Sequence, residues 1–307
     1  MHPRVIFVGG VSRSGTTLLH RLLGQLPDVV SLGEVCNLWG TGLRNGDLCT
    51  CGDLIASCVF WKEIGDRAFG GWDAVDLQEM RRLRGSIDRI RFLPALLQGK
   101  RSGAIQTTAA AYASYYTKIY TAALEVSGAQ VVVDSSKRAP LACCLGMYAD
   151  VDLKLVHIVR DSRGVAYSCT KNVLRVDSVR GATLGTASPA DTSLNWIVQN
   201  LALEILSRKG VSTRMLTYER LIEDPVGVLR EVISFAGLSV DESAMRFLSD
   251  DHAVLDAGHS IGGNPMRAQT GSVSLRLDDA WRTHLPRTDR LLVSALTYPL
   301  LRRYSRS

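Results

Sequence analysis

The sequence predicts an α/β fold in three layers, with a central, mainly parallel sheet of about five strands flanked by helices. Three observations carry this. Short β-branched apolar runs alternate with helical patterns along the 307 residues. The runs are apolar without polar alternation, as in strands covered by helices on both faces. The first run also passes through a glycine-rich turn directly into a helical pattern, a strand–turn–helix unit.

The elements follow in order. Residues 4–9 (RVIFVG) form the first buried strand, and a helix over 16–26 follows its glycine turn. Residues 28–32 (DVVSL) give a shorter, weaker strand. Residues 40–107, rich in Gly, Arg and charge, read as an irregular, partly helical insertion that builds a lid or an acceptor pocket. A helix over 108–127 keeps apolar residues along one face, and strands follow at 130–134 and 153–159. A helix over 161–175, a long loop over 176–190, a helix over 190–209 and a strand over 213–217 come next. Pro225 and Pro286 open the last two helices, 225–237 and 286–303, at first-turn positions that suit proline. No repeat, low-complexity tract or linker interrupts the chain, so residues 1–307 read as one domain.

A net charge of +6 suits an anionic ligand. The arginines are scattered, and no zinc finger or RNP motif occurs, which argues against nucleic acid as partner. No secretory leader is visible, and the apolar run 5–8 is too short for a leader core or a membrane span. A cytoplasmic protein without a transmembrane segment is therefore expected. The C-terminal YPLLRRYSRS reads as a solvated last helix, with peripheral membrane contact left open, as is oligomer formation. The seven cysteines are an odd count, which argues against a disulfide framework. Cys36, Cys49, Cys51 and Cys58 supply enough thiolates for a zinc ion, but their spacing is not two C-x-x-C pairs. They read as reduced thiols in or near the core, with disulfide and metal-bound states left open.

The segment RVIFVGGVSRSGTTLL carries the chemistry. Its glycines allow a tight turn whose amides, with the following helix N-terminus, cradle an anion. Ser14, Thr16 and Thr17 add hydroxyl donors and Arg13 a planar cationic fork; Gly15 precedes Thr16, where an ATP-binding Walker A loop places lysine. Without that lysine, the loop is expected to hold a shorter 5′-phosphoryl group and no metal. The competing reading is a small-molecule or nucleoside kinase with a degenerate loop, using Asp134 as the magnesium ligand. A non-catalytic nucleotide-binding scaffold is a third.

These residues resemble the sulfotransferases that use 3′-phosphoadenosine 5′-phosphosulfate (PAPS). GVSRSGTTLL is similar to their 5′-phosphosulfate loop, in the arginine-bearing form of tyrosylprotein, carbohydrate and many bacterial members. KLVHIVRDSRGVAYS resembles their 3′-phosphate site, an arginine at a strand end (Arg160) and a serine eight residues on (Ser168). The resemblance implies a P-loop NTPase-like fold, PAPS as co-substrate, adenosine 3′,5′-bisphosphate (PAP) as product, and no metal. It further implies that Lys137 in VVVDSSKRAP contacts the transferring sulfuryl group and that Tyr218 in LTYERLIEDP lies near the nucleotide. Asn264 and Arg267 in HSIGGNPMRAQTG would reach the 3′-phosphate or adenine side. Glu34, in a Gly-Glu pair like that of tyrosylprotein sulfotransferases, is implied as the base that activates the acceptor, with His259 as its rival. His20 reads as a packed or solvated side chain, and His157, inside a core strand, as a satisfied core histidine. The implied catalytic set is Glu34, Lys137 and Arg13. The acceptor is a hydroxyl or amine of a small molecule, lipid or carbohydrate.

Overall fold

The computed structural model describes residues 2–98, 103–262 and 264–305. Strand β1 (Arg4–Gly10) leads into helix α1 (Thr16–Leu23), and β2 (Val29–Gly33) follows. Helices α2 (Val59–Phe69), α3 (Leu77–Ile87), α4 (Leu93–Leu96) and the long α5 (Ala104–Ser127) precede β3 (Val131–Lys137). Next come α6 (Ala139–Tyr148), β4 (Asp152–Val159), α7 (Ser162–Thr170), α8 (Pro189–Arg208) and β5 (Thr213–Thr217). Helices α9 (Tyr218–Glu223) and α10 (Pro225–Phe235), a β6 (His252–Leu255)–β7 (Gly271–Ser274) pair, α11 (Trp281–His284) and α12 (Arg287–Tyr304) complete the chain.

The five core strands form one sheet in the order β2-β3-β1-β4-β5, and every pairing is parallel. β1 lies in the centre, where Val5 faces Val132 on one side and Leu153 on the other. Both faces of the sheet are apolar because successive side chains alternate. Val5 and Phe7 join the core under α5, α6 and α8, whereas Ile6 and Val8 join the core under α1 and α10. Burial on both faces is why the β1 sequence reads as a continuous apolar run. Ligands of such sheets bind at the carboxyl ends of the strands, and the segments that carry Arg13, Glu34, Lys137, Arg160 and Tyr218 leave the sheet there.

The insertion, expected to be irregular and partly helical, is more regular than that. It is largely helical and packs on α5, giving Trp61, Ile64, Met80, Leu83 and Leu96 to the core. The carboxylate of Asp76 caps α3 by accepting from the amides of Gln78 and Glu79. Glycine and arginine on the outer faces dilute this apolar spacing in the sequence. Two other differences have local causes. α7 stops at Thr170 because Lys171 turns extended. α6 gives no amphipathic signal because its residues from Ala139 to Leu145 are all buried. No helix among the described residues is long and apolar enough to cross a membrane.

Candidate active site

The loop between β1 and α1 turns on two left-handed residues, Arg13 (φ 74°) and Gly15 (φ 86°). Gly15 is required twice over. Its φ disfavours a side chain, and a Cβ there would lie 2.5 Å from Cδ2 of Tyr218. α1 begins with no side-chain cap and no acidic residue in its first turn, so its free N–H groups remain available to an anion. Arg13, Gly15, Thr16 and Thr17 line a cavity of about 490 Å³. Ser14 does not. Its hydroxyl is buried with no hydrogen-bond partner among the described residues, and Ser12 lines the cavity instead.

Glu34 and Lys137 enter this cavity from the ends of β2 and β3. The Lys137 ammonium donates to Glu34 Oε1, and Asn37 Nδ2 donates to Glu34 Oε2 at 3.0 Å. Lys137 sits at φ 69°, a left-handed conformation sparsely populated by residues other than glycine. Gly33, just before Glu34, has φ 74°, and a Cβ on it would lie 2.2 Å from the carbonyl oxygen of Ile261. The amide of Glu34 donates to that same carbonyl at 2.6 Å, pinning the base candidate to the loop before β7. Arg13 makes no side-chain hydrogen bond or ion pair among the described residues. Burial, chiefly, holds its guanidinium below the ordinary arginine range. Cys169 pulls it up, Arg160 pushes it down and Glu34 pulls it up.

At the other end of the cavity, Arg160 follows β4 and Ser168 lies on α7. Arg160 is fully engaged. Its guanidinium donates to the Arg13 carbonyl at 3.0 Å, to the Asp278 carbonyl at 2.7 Å and to Asp278 Oδ2 at 3.0 Å, and it covers the Tyr218 ring at 4.6 Å. Trp196 Nε1 donates to the Arg160 carbonyl at 3.0 Å and fixes its backbone. Burial pushes the Asp278 carboxyl up, but the Arg160 hydrogen bond and charge more than offset this and hold it below the usual carboxylate range. Tyr218 is buried against the loop and lines the cavity, as does Asn264.

Several expectations are corrected or narrowed here. Arg267 is a buried strut and does not line the cavity. It donates to the Ser260 carbonyl at 2.7 Å and the Leu48 carbonyl at 2.6 Å. His259 does not line the cavity either; its Nδ1 faces Cys49 and Cys58. His157 is a core histidine paired with Asn200 Oδ1 at 2.8 Å, and His20 is buried with Nδ1 on Ser31 Oγ at 2.9 Å. Asp134, the magnesium ligand a kinase would use, is fully buried. It accepts from Tyr120 Oη at 2.6 Å and from the Ser136 amide at 2.7 Å. Its lone pairs are spent inside the fold. Of the insertion between 40 and 107, only Thr41 reaches the cavity among the described residues. The sequence did not point to Asn37, Arg175, Arg276 or Asp278, which also line it. Asn37 ends a short 3-10 turn and the other three stand on loops, where no period or motif marks them.

Comparison with known proteins points to sulfotransferases. Residues 3–41 match a model described as "Sulfotransferase family", and residues 139–253 match one described as "Sulfotransferase domain". Carbohydrate sulfotransferase 6 of Homo sapiens is 24% identical over 297 residues, covering 89% of this chain and 73% of that protein. Carbohydrate sulfotransferase 5 of Mus musculus matches with the same identity and coverage. Among solved structures, a sulfotransferase domain from the curacin biosynthetic pathway aligns with a TM-score of 0.52 and 18% identity. It covers 95% of this chain and 96% of that one.

Proposed function

This chain belongs to the sulfotransferase family and is a sulfuryl-transferring enzyme, and on that premise we propose how its cavity works and what it accepts. The family implies PAPS as co-substrate. PAPS supplies the sulfuryl group and a stable bisphosphate leaving group. The chain's own residues supply placement and charge.

In our reading the uncapped first turn of α1, Thr16, Thr17 and Arg13 hold the 5′-phosphosulfate, and Arg160 with Ser168 holds the 3′-phosphate. The observation that carries this is the sharing of one cavity by an arginine at a helix N-terminus that is unpartnered among the described residues, the Glu34–Lys137 pair and Arg160. Lys137 then stabilises charge that develops on the bridging oxygen. Glu34 takes the proton of the acceptor hydroxyl or amine, with Asn37 fixing its second oxygen. Transfer is an in-line displacement, with positioning and electrostatics doing most of the catalysis. No metal is assigned to this step.

Small molecules, lipids and carbohydrates are the acceptor classes we propose. The two curated relatives, named as carbohydrate sulfotransferases, favour the last. The polar side chains of Asn37, Thr41, Arg175 and Thr183 on the cavity wall fit a polyhydroxyl acceptor. A cytoplasmic setting is also proposed, supported by seven cysteines none of which forms a disulfide. Nothing favours the kinase reading.

Two measurements test the proposal. PAP should raise the thermal midpoint by several degrees at saturating concentration, and ATP with magnesium should not. Stabilisation by ATP–magnesium alone would overturn it. Isotope-labelled PAPS incubated with metabolite extracts, followed by mass spectrometry, should yield a labelled sulfated product and identify the acceptor.

A further inference from the structure

Away from the cavity, the fold gathers four metal-ligating side chains from two distant segments. Cys49, Cys51 and Cys58 come from the turn before α2, and His259 comes from the loop between β6 and β7. One ligand atom from each lies within 4.8 Å of all the others. Cys51 Sγ is 3.6 Å from Cys58 Sγ, and His259 Nδ1 is 3.3 Å from Cys58 Sγ and 3.7 Å from Cys49 Sγ. A tetrahedral zinc with ordinary bond lengths sets its ligand sulfurs about 3.8 Å apart and a sulfur and nitrogen about 3.6 Å apart. The measured spacings straddle those edges. They are too long for a disulfide, which holds its sulfurs at about 2.0 Å.

From this cluster we infer a structural zinc site with the ligands Cys49, Cys51, Cys58 and His259. Four protein ligands close the coordination sphere, so the site is structural and leaves no position for substrate. On binding, the three thiols give their protons to solvent, and the ion is held by three thiolates and a neutral imidazole. The surroundings suit this. The His259 ring stacks on Phe60 at 5.1 Å, and Trp61 Nε1 donates to the His259 carbonyl at 3.0 Å, which together fix the ring. Arg267 bonds to the carbonyls of Leu48 and Ser260, the neighbours of Cys49 and His259, and so ties the two ligand segments together. Cys36, the fourth cysteine expected from the sequence, is elsewhere. It sits beside Ser136, whose hydroxyl accepts from its amide at 2.9 Å.

The site has a consequence for the cavity. His259 is two residues before Ile261, which accepts from the Glu34 amide and donates to the Leu32 carbonyl at 2.9 Å. The ion would clamp the start of the insertion to the loop that seats Glu34. This is a positioning role, transmitted through backbone.

The test is metal content. The full chain, purified under reductant without chelator, should carry about one zinc per molecule by inductively coupled plasma mass spectrometry. Cys49→Ser, Cys58→Ser and His259→Ala should each weaken zinc retention at least 10-fold in a chelator competition. Cys36→Ser and Cys143→Ser should retain it. Should Cys58→Ser misfold, the exposed Cys51→Ser serves in its place, and wild-type protein loaded with cobalt(II) should show the intense visible bands of tetrahedral thiolate coordination. Stripping the metal should also reduce hydrogen-exchange protection at the amides of Glu34 and Ile261. Reduced wild-type protein that carries no zinc and takes up neither zinc nor cobalt overturns the inference. So does full zinc retention after Cys58 and His259 are both replaced.

Discussion

Where the cavity is bounded by the β1–α1 loop and the end of β3, Arg13 and Lys137 stand on left-handed backbone, and Arg13 has no side-chain partner among the described residues. Where it meets β4, Arg160 stands on ordinary backbone and spends its guanidinium on Asp278, the Arg13 carbonyl and the Tyr218 ring. A non-glycine residue at such a φ costs about 1–3 kcal/mol and persists only where its surroundings impose it. Of the three such residues described, two are the cations of the proposed transfer end. The difference teaches how each end is prepared. Charge that must meet a changing charge distribution is placed by the backbone before substrate arrives. On the proposed assignment, charge that only has to receive a stable phosphate is stored on internal partners and handed over.

The sharpest way to break this comparison is to neutralise the transfer end alone. Glu34→Gln keeps the size and the bond to Asn37 but removes the base and the ionic partner of Lys137. Turnover should fall about 10²–10⁴-fold, while the affinity for PAP, measured by calorimetry, stays within a few-fold. Near-normal turnover would remove Glu34 from the reaction. A matching loss of PAP affinity would show that the two ends are not separable.

The nucleotide end is probed by Arg160→Ala. Hydrogen bonds to charged groups contribute about 1.5–3 kcal/mol each, so PAP should bind about 10–100-fold more weakly. Adenosine 5′-monophosphate should lose far less. Equal losses for the two ligands would refute the division between a 3′-phosphate site and a 5′ loop.

The proposed division comes from the resemblance of two segments to a 5′-phosphosulfate loop and a 3′-phosphate site, and both segments hang on parallel strands. The apolar runs of β1 and β4 announce buried strands, and the residues after them, the Arg13 loop and Arg160, are fixed by the strand ends. Glu34, Lys137 and Tyr218 are picked out by the family resemblance of their segments, not by periodicity, and they stand at or just beyond the ends of β2, β3 and β5. The rest is not legible, for physical reasons. Arg267 looks like a ligand in the sequence, but its partners are main-chain carbonyls of Leu48 and Ser260, which carry no sequence signal. Ser14 sits in the motif, yet the turn at Arg13 points its hydroxyl into the fold and brings Ser12 to the cavity. Asp278 and Arg276 come from a loop beyond β7, and only the fold brings them to the cavity, Asp278 against Arg160. His259 lies 201 residues from Cys58, so no spacing rule links them.

The transfer end should also be the acid-sensitive one. His20, on α1 behind the anion loop, is pushed down to about 3, by burial first and then by the positive charges of Lys137, Arg21 and Arg267. Unfolded, it titrates near 6.5, so it costs nothing above that pH. As pH falls from 6.5 toward 3 the unfolded chain takes a proton that the folded chain refuses, and stability drops by about 1.4 kcal/mol per pH unit. Asp134 works in the opposite sense. Burial raises it to about 6, so protonation of the folded state relieves its cost as pH falls below 6. The wild-type curve should therefore be shallow, and the difference from His20→Gln isolates the histidine. Between pH 7 and pH 5 that difference, from urea unfolding, should move against the wild type by roughly 2 kcal/mol. A difference that does not change with pH would mean that the imidazole is solvated.

The smallest effect tests the idea of storage. Asp278 is 39% exposed, so its ion pair with Arg160 is worth no more than about 1 kcal/mol. If the carboxylate merely holds the guanidinium until a phosphate displaces it, Asp278→Asn removes a competitor. The main-chain carbonyl of residue 278 still accepts from Arg160, and the Tyr218 ring still supports it, so geometry is kept. PAP should then bind about 2–5-fold more tightly at low salt, with the gain shrinking as ionic strength rises. Weaker binding would reverse the conclusion. It would mean that Asp278 orients Arg160 for the phosphate, and that the nucleotide end is preorganised as strictly as the transfer end, by a side chain instead of by strained backbone.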